Sequence, residues 1–306
     1  LITQINNDKL PVFEPGLEES FLKNKDSITF TSNINDLSNC KIIFIALDTP
    51  TNENNESDYS PLTSILTELI NLNIHGTTLV IHSQVYPGFT KTISDLCQTK
   101  KINLFYQVET LIFGEALQRV LSPERIIVGC NAPEESLPLE YQALLNSFNC
   151  PIFKMSYESA ELSKIAINMF LMASVTTTNT LSEICEKTNA DWNDIKKILK
   201  LDKRIGKHAY LTPGLGISGG NLERDLEVLN RISSEIGTNQ SLIHTIYKCS
   251  QYRKKWVLHT LYLNVFQIYK KPKIAIWGIA YRPNTHSTKN SPTLKLISEL
   301  KDYSLN

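Results

Sequence analysis

Lys164 lies in the stretch 162–175 (LSKIAINMFLMASV), which is apolar on nearly every face if helical. A helix of that kind is normally buried. A lysine inside it must be desolvated or paired, which shifts its proton affinity and suits it to catalysis. Asn168 follows four residues later and shares its side of the helix. A lysine near a helix start can instead lay its stem on apolar surface and keep its ammonium in water.

The segment 213–221 (PGLGISGGN) is the second candidate. Gly214, Gly216, Gly219 and Gly220 permit tight turns and close backbone approach to a ligand. No strand pattern precedes them, so this is not a dinucleotide fingerprint. The segment feeds a helix on which Asn221 and Asp225 share a face. Asn221 could be only an N-cap, but an ordinary cap does not need four glycines before it, which favours a ligand loop. Three further loops follow short apolar runs: Asp48-Thr49-Pro50, 84–90 (QVYPGFT) and 107–114 (QVETLIFG). In an open parallel sheet ligands bind beyond the carboxyl ends of the strands, so these loops should border one crevice. Thr90 opens a helix whose N–H groups could face a bound anion; ordinary strand–helix connections are the plainer reading. In 278–292, Arg282 and Lys289 are either phosphate partners or solvated surface cations.

These residues need a scaffold, and the chain supplies a rhythm of short strand, turn and helix. Strand patterns fall at 41–47, 78–83, 102–106, 125–129 and 273–278, with helical patterns at 59–72, 90–99 and 133–147. The near-continuous apolar run KIIFIAL at 41–47 suits a parallel strand covered on both faces. The alternation is that of a doubly wound α/β sheet. From about 157 the strands stop, and helices are expected at 159–186, 192–201, 222–235 and 240–269. The pattern at 273–278 (KIAIWG) begins a second α/β unit that the remaining residues are too few to complete. No GxGxxG occurs, and residues 1–9 read as the tail of a helix. A strand, a glycine turn and a helix are therefore expected upstream.

Composition narrows the function. Lys plus Arg and Asp plus Glu number 31 each, so no global basic field attracts nucleic acid or a membrane surface. No apolar run nears the ~20 residues that span a bilayer, and no signal peptide opens the chain. The six cysteines show no metal-ligand spacing and read as reduced, mostly buried thiols of a cytoplasmic protein.

Taken in order, the segments resemble the UDP-glucose/GDP-mannose dehydrogenase family. Residues 10–18 (LPVFEPGLE) are similar to its LPxxEPGLE, 43–50 to its fourth strand and TP, 107–129 to its PExLxxG…NPxRIxxG block, and 159–168 (SAELSKIAIN) to SAELxKxxxN. Arg204-Ile205-Gly206, the PGxGxxGG loop and a GxAxRPNT segment complete the series. The resemblance implies a Rossmann-like NAD domain over 1–153, incomplete at its start, a central helical dimerisation and substrate region over 154–268, and the start of a UDP/GDP-binding domain over 269–306. It implies NAD as cofactor, a nucleotide sugar as substrate and a homodimer. Lys164 would steady the alkoxide, Asn168 would bind the same oxygen or a water, Asp225 would be a base, and Glu109 a second acid/base group. Thr49, Pro50, Ser83, Gln84 and Glu109 would lie against NAD. Arg204 would reach the neighbouring subunit's sugar nucleotide, Gly214, Gly216, Gly219 and Gly220 would wrap the sugar, and Arg282 would face the phosphates. In the family a nucleophilic cysteine follows the double glycine (GGxCxxKD). Anchored on Asp225, Asn221 takes its place here, and an amide cannot trap an aldehyde as a thiolate does. Three outcomes stay open: oxidation to the acid, a halt after one hydride, and a non-catalytic nucleotide-sugar binder.

Overall fold

The computed structural model describes residues 1–52, 56–72, 74–112, 114–270, 272–281 and 286–303. The chain divides into two compact units, Leu1–Asn52 with Ser57–Lys164, and Glu53–Glu56 with Ile165–Asn306.

In the first unit the short helices α1 (Ile2–Asn6) and α2 (Leu17–Asn24) precede a five-stranded sheet. Its strands are β1 (Ile42–Ile45), β2 (Thr78–Ile81), β3 (Asn103–Gln107), β4 (Ile126–Cys130) and β5 (Ile152–Ser156), in the spatial order β1-β2-β3-β4-β5. Helices α3 (Ser60–Asn71), α4 (Phe89–Thr99), α5 (Ala116–Leu121) and α6 (Leu139–Asn146) connect them. Successive side chains of a strand point to opposite faces, and both faces are packed. Ile43, Ile45, Leu79, Ile81, Leu104 and Tyr106 join Leu62, Leu66 and Leu69 of α3 on one side. Val80, Phe105, Ile126 and Val128 meet Tyr141 and Leu145 of α6 on the other. Each fully buried Leu or Ile contributes about 1.5–3 kcal/mol, so this double layer fixes where the loops at the strand ends stand.

The α/β sheet is parallel between β1, β2 and β3 and between β4 and β5, but β4 runs antiparallel to β3. A parallel return needs a long crossover, usually a full helix. The β3–β4 connection holds only the six-residue α5, and the chain enters β4 from the opposite end. Strand β5 was not anticipated: its half-exposed sequence IFKMS carries little periodicity. The helix expected at 133–147 starts only after Pro138, whose missing N–H suits a helix boundary.

Helix α7 (Tyr157–Thr188) runs from the first unit into the second. There α8 (Trp192–Leu201), α9 (Gly220–Ile236) and α10 (Ser241–Lys254) pack around two small cores. Met172, Ile217, Leu226, Ile243 and Ile246 form one, and Cys185, Trp192 and Leu211 the other. The helix expected over 240–269 is broken after α10. It continues as α11 (Trp256–Leu261) and a π-helical turn (Tyr262–Phe266), and α12 (Pro292–Tyr303) follows. Two expectations fail. Helix α7 is not buried all round, because Leu162, Phe170 and Ile184 are exposed at 45%, 78% and 52%. Residues 273–278 form no strand: among the described residues they pair with no neighbour, and Trp277 is fully exposed. Apolar alternation makes a strand only where another strand meets its backbone groups.

Candidate functional site

The loops beyond β1 and β2 are tied together. The buried Thr49 hydroxyl donates to the Gln84 carbonyl at 2.8 Å. Buried Ser83 turns back onto β1, its N–H 3.1 Å and its hydroxyl 3.3 Å from the Ile45 carbonyl. Gln84 is half-buried and Pro50 exposed. Beyond β3, the Glu109 carboxylate accepts the N–H of Leu111, two residues along its own loop. The Glu109 carbonyl accepts the Lys164 ammonium at 2.7 Å. Lys164 is half-buried.

The helix start at Thr90 does not offer its N–H groups to an outside anion. The Glu161 carboxylate, fully buried on α7, accepts from Gly88 N–H at 2.5 Å and Thr90 N–H at 2.8 Å. Burial raises the Glu161 pKa above the ordinary carboxylate range. A second buried carboxylate, Glu14, accepts from Gly114 N–H at 2.9 Å and Ala116 N–H at 2.6 Å, closing the Glu109 loop. Sequence reasoning passed over both residues, although EPGLE and SAELSK contain them.

In the second unit the Asn168 amide donates to the Asp225 carboxylate at 2.5 Å, with Asn168 8% and Asp225 0% exposed. Arg224, also buried, lies with Nε 3.9 Å from Asp225 Oδ1 and donates from Nη2 to Asn221 Oδ1 at 3.1 Å. Asn221 is exposed and is not the cap of α9: the N-cap is Gly219, and no side chain caps the helix. The glycine loop is pinned from α7 and α10. Gly214 N–H donates to Asn179 Oδ1 at 2.8 Å, Arg253 Nε to the Gly214 carbonyl at 3.0 Å, and Ile217 N–H to Ser250 Oγ at 2.8 Å. Gly216 has φ +83°, and a Cβ there would stand 2.7 Å from the Ser250 carbonyl oxygen. Gly219 has φ +81°, with the Tyr281 ring 2.9 Å from the same virtual atom, while the Lys289 stem lies over Gly220. Asn290 donates to the Gly219 carbonyl at 3.1 Å and to Glu223, which pairs with the half-buried Lys254 at 2.5 Å. The sequence singled out Gly219, Gly220 and Lys289 but not Glu223, Lys254 or Asn290, because the members lie on separate segments.

Two expected site residues stand apart. Arg204 is exposed and forms a two-pronged pair with Asp202 at 3.0 and 2.6 Å, which holds the Asp202 carboxyl below its usual range. Arg282 lies outside the described residues. Two of the cysteines are held as thiols. Burial pushes the Cys97 thiol up to about 11 and that of Cys130 upward, so neither is a thiolate at neutral pH. Cys249 lines a cavity of about 220 Å³ with Asn179, Gly216 and Ser250. Among the described residues no helix is long and apolar enough to cross a membrane.

Comparison with known proteins bears on the whole chain. Residues 1–148 match the NAD binding domain of the UDP-glucose/GDP-mannose dehydrogenase family, and residues 158–251 its central domain. The Bacillus subtilis protein YtcA is 28% identical over 98% of the chain and 71% of its own length. The UDP-glucose 6-dehydrogenase TuaD of the same organism is 27% identical over 98% of the chain and 66% of its own length. Among solved structures, a UDP-glucose dehydrogenase from Pyrobaculum islandicum aligns with a TM-score of 0.86 at 21% identity, over 98% of this chain and 71% of that one. A UDP-D-ManNAc dehydrogenase from Pyrococcus horikoshii aligns at 0.85 and 21%, over 98% and 73%.

Proposed function

The chain belongs to the UDP-glucose/GDP-mannose dehydrogenase family and is by that membership an NAD-dependent oxidoreductase; on this premise we propose that it oxidises a nucleotide sugar, a UDP-linked hexose at C6. The relatives named as UDP-glucose 6-dehydrogenases favour that substrate. One observation carries the chemistry: the Lys164 ammonium is held on the Glu109 carbonyl at 2.7 Å rather than released to solvent. A fixed cation is what a hydroxyl needs as it loses a hydride and its oxygen gathers negative charge. Asn168 would bind that oxygen or a water, and Asp225 would take the proton.

Thr49, Ser83, Gln84 and Glu109 at the strand ends fit the rim of a dinucleotide site, with Pro50 exposed beside them. NAD, when bound there, accepts the hydride. The glycine loop at Gly214, Gly216, Gly219 and Gly220 would approach the sugar by its backbone, Arg282 would meet the phosphates, and Arg204 would reach a partner subunit's substrate. The exposed Leu162, Phe170 and Ile184 of α7 favour a homodimer that covers them.

Asn221 favours a second reading, in which the enzyme stops after one hydride. Without a thiol, acid formation would have to pass through the aldehyde hydrate. Counting NADH formed per UDP-glucose consumed separates the outcomes, one for an aldehyde product and two for an acid. Lys164→Met should slow both severely while leaving a measurable residual rate. A variant that keeps wild-type turnover would remove the central role given to this ammonium. Absence of NADH with any UDP- or GDP-sugar, together with tight sugar-nucleotide binding, would identify a non-catalytic binder.

A further inference from the structure

The Lys164–Glu109 contact has two sides, and on each a buried carboxylate accepts two backbone N–H groups. On the ammonium side, Glu161 stands one helical turn before Lys164 on α7. Its two oxygens take the N–H groups of Gly88 and Thr90, at the start of α4. Helix α4 has no cap of its own, since Gly88 carries no side chain and has φ +97°. A carboxylate at a helix N-terminus satisfies orphan donors and faces the positive end of the helix dipole. The clasp therefore fixes the height and rotation of the first turns of α7 against α4. On the carbonyl side, Glu14 takes the N–H groups of Gly114 and Ala116. It thereby closes the loop that begins at Glu109, whose own carboxylate is folded back on Leu111. That loop would otherwise be free to swing the Glu109 carbonyl away.

We propose that Glu161 and Glu14 are positioning residues for Lys164, Glu161 seating the helix that carries the ammonium and Glu14 seating the carbonyl that receives it. Neither touches the reacting atoms; each acts through the 2.7 Å contact. A lysine has a long flexible stem, and its charge is useful only where it is held. The proposal rests on the reading of Lys164 given above.

The test is a double-mutant cycle in the intact protein, with NAD and UDP-glucose as substrates. Glu161→Gln and Glu14→Gln keep the side-chain shape but leave one good acceptor where there were two. Each should lower kcat roughly 10- to 100-fold, the scale of an ångström misplacement, with the KM for UDP-glucose changed less than about threefold. In a Lys164→Met background, neither substitution should lower the residual rate further, because its route of action is gone. Glu161→Asp, which shortens the reach but keeps the charge, should fall between wild type and Glu161→Gln. It also gives a readable variant if Glu161→Gln does not fold. Amide exchange at Gly88 and Thr90 should quicken in Glu161→Gln. If Lys164→Met cripples turnover while both glutamine variants keep wild-type kcat, the positioning role alone is overturned. The same holds if their losses add in full to that of Lys164→Met, which would mark a general structural role. If Lys164→Met itself is harmless, the reading of Lys164 falls and the positioning role with it.

Discussion

Gly216→Ala should damage this protein where Gly214→Ala, two residues away in the same loop, should not. At Gly216 the backbone has φ +83°, a conformation that costs an L-residue about 1–2 kcal/mol. The added Cβ would lie 2.7 Å from the Ser250 carbonyl oxygen and 2.9 Å from Ser250 Oγ, and the first of these is backbone that cannot rotate aside. Relief requires the loop and α10 to part, which breaks the buried bond from Ile217 N–H to Ser250 Oγ. An orphaned buried donor costs about 1–3 kcal/mol, so the sum is on the order of 2–5 kcal/mol. For a unit of this size that lowers the melting midpoint by roughly 5–15 °C. At Gly214 a Cβ would meet nothing within 4 Å, and φ is not in the left-handed region. Alanine there should change stability by less than about 1 kcal/mol in either direction. Paired thermal scans of the two variants under one condition provide the assay. Equal melting points for Gly216→Ala and wild type, or equal losses for both variants, would refute the reasoning from backbone geometry.

Asp225→Asn keeps a partner for the Asn168 amide but removes the proposed proton acceptor, so kcat should fall about 10²- to 10⁴-fold with the fold retained by circular dichroism. Burial holds the His82 imidazolium below its ordinary range of about 6.5. The unfolded chain therefore takes up this proton first on acidification. The His82 contribution to stability is present above about pH 6.5 and is lost as pH falls from there through the folded value. His82→Gln should flatten that part of a plot of melting point against pH, and an unchanged slope would show that other groups set it. Asn221→Cys should raise the NADH count per sugar if wild type stops at one. Asn221→Ala should leave the count alone while lowering the rate.

The strand positions were readable because Leu79 and Ile81 pack on one face and Val80 on the other, a burial that leaves an apolar run in the sequence. Strand β5 was not, since an edge strand with one half-exposed face is patterned like a loop. The direction of β4 was hidden for a different reason: orientation is set by the path of the connection, not by the residues of the strand. Lys164, Asn168 and Asp225 stood out because charged or polar groups in apolar or glycine-rich surroundings are chemically conspicuous. Glu14 and Glu161 did not, since a carboxylate that binds backbone N–H groups leaves no complementary side chain to find. Residues 273–278 show the converse, a strand pattern without a described neighbour to complete it.

The amide at position 221 holds a buried neighbour. Its oxygen accepts from Arg224 Nη2 at 3.1 Å, and the same guanidinium places Nε 3.9 Å from the Asp225 carboxylate. A cysteine sulfur is a weak acceptor and would hold that guanidinium poorly. Arg224 is 6% exposed, so its placement is decided by such partners rather than by water. Asn221 is thus coupled to Asp225 through Arg224, and Asp225 in turn receives Asn168, one turn after Lys164 on the same helix. The buried Asp225 carboxylate therefore stands beside a guanidinium and an amide donor, the kind of partners without which a buried charge is costly to keep.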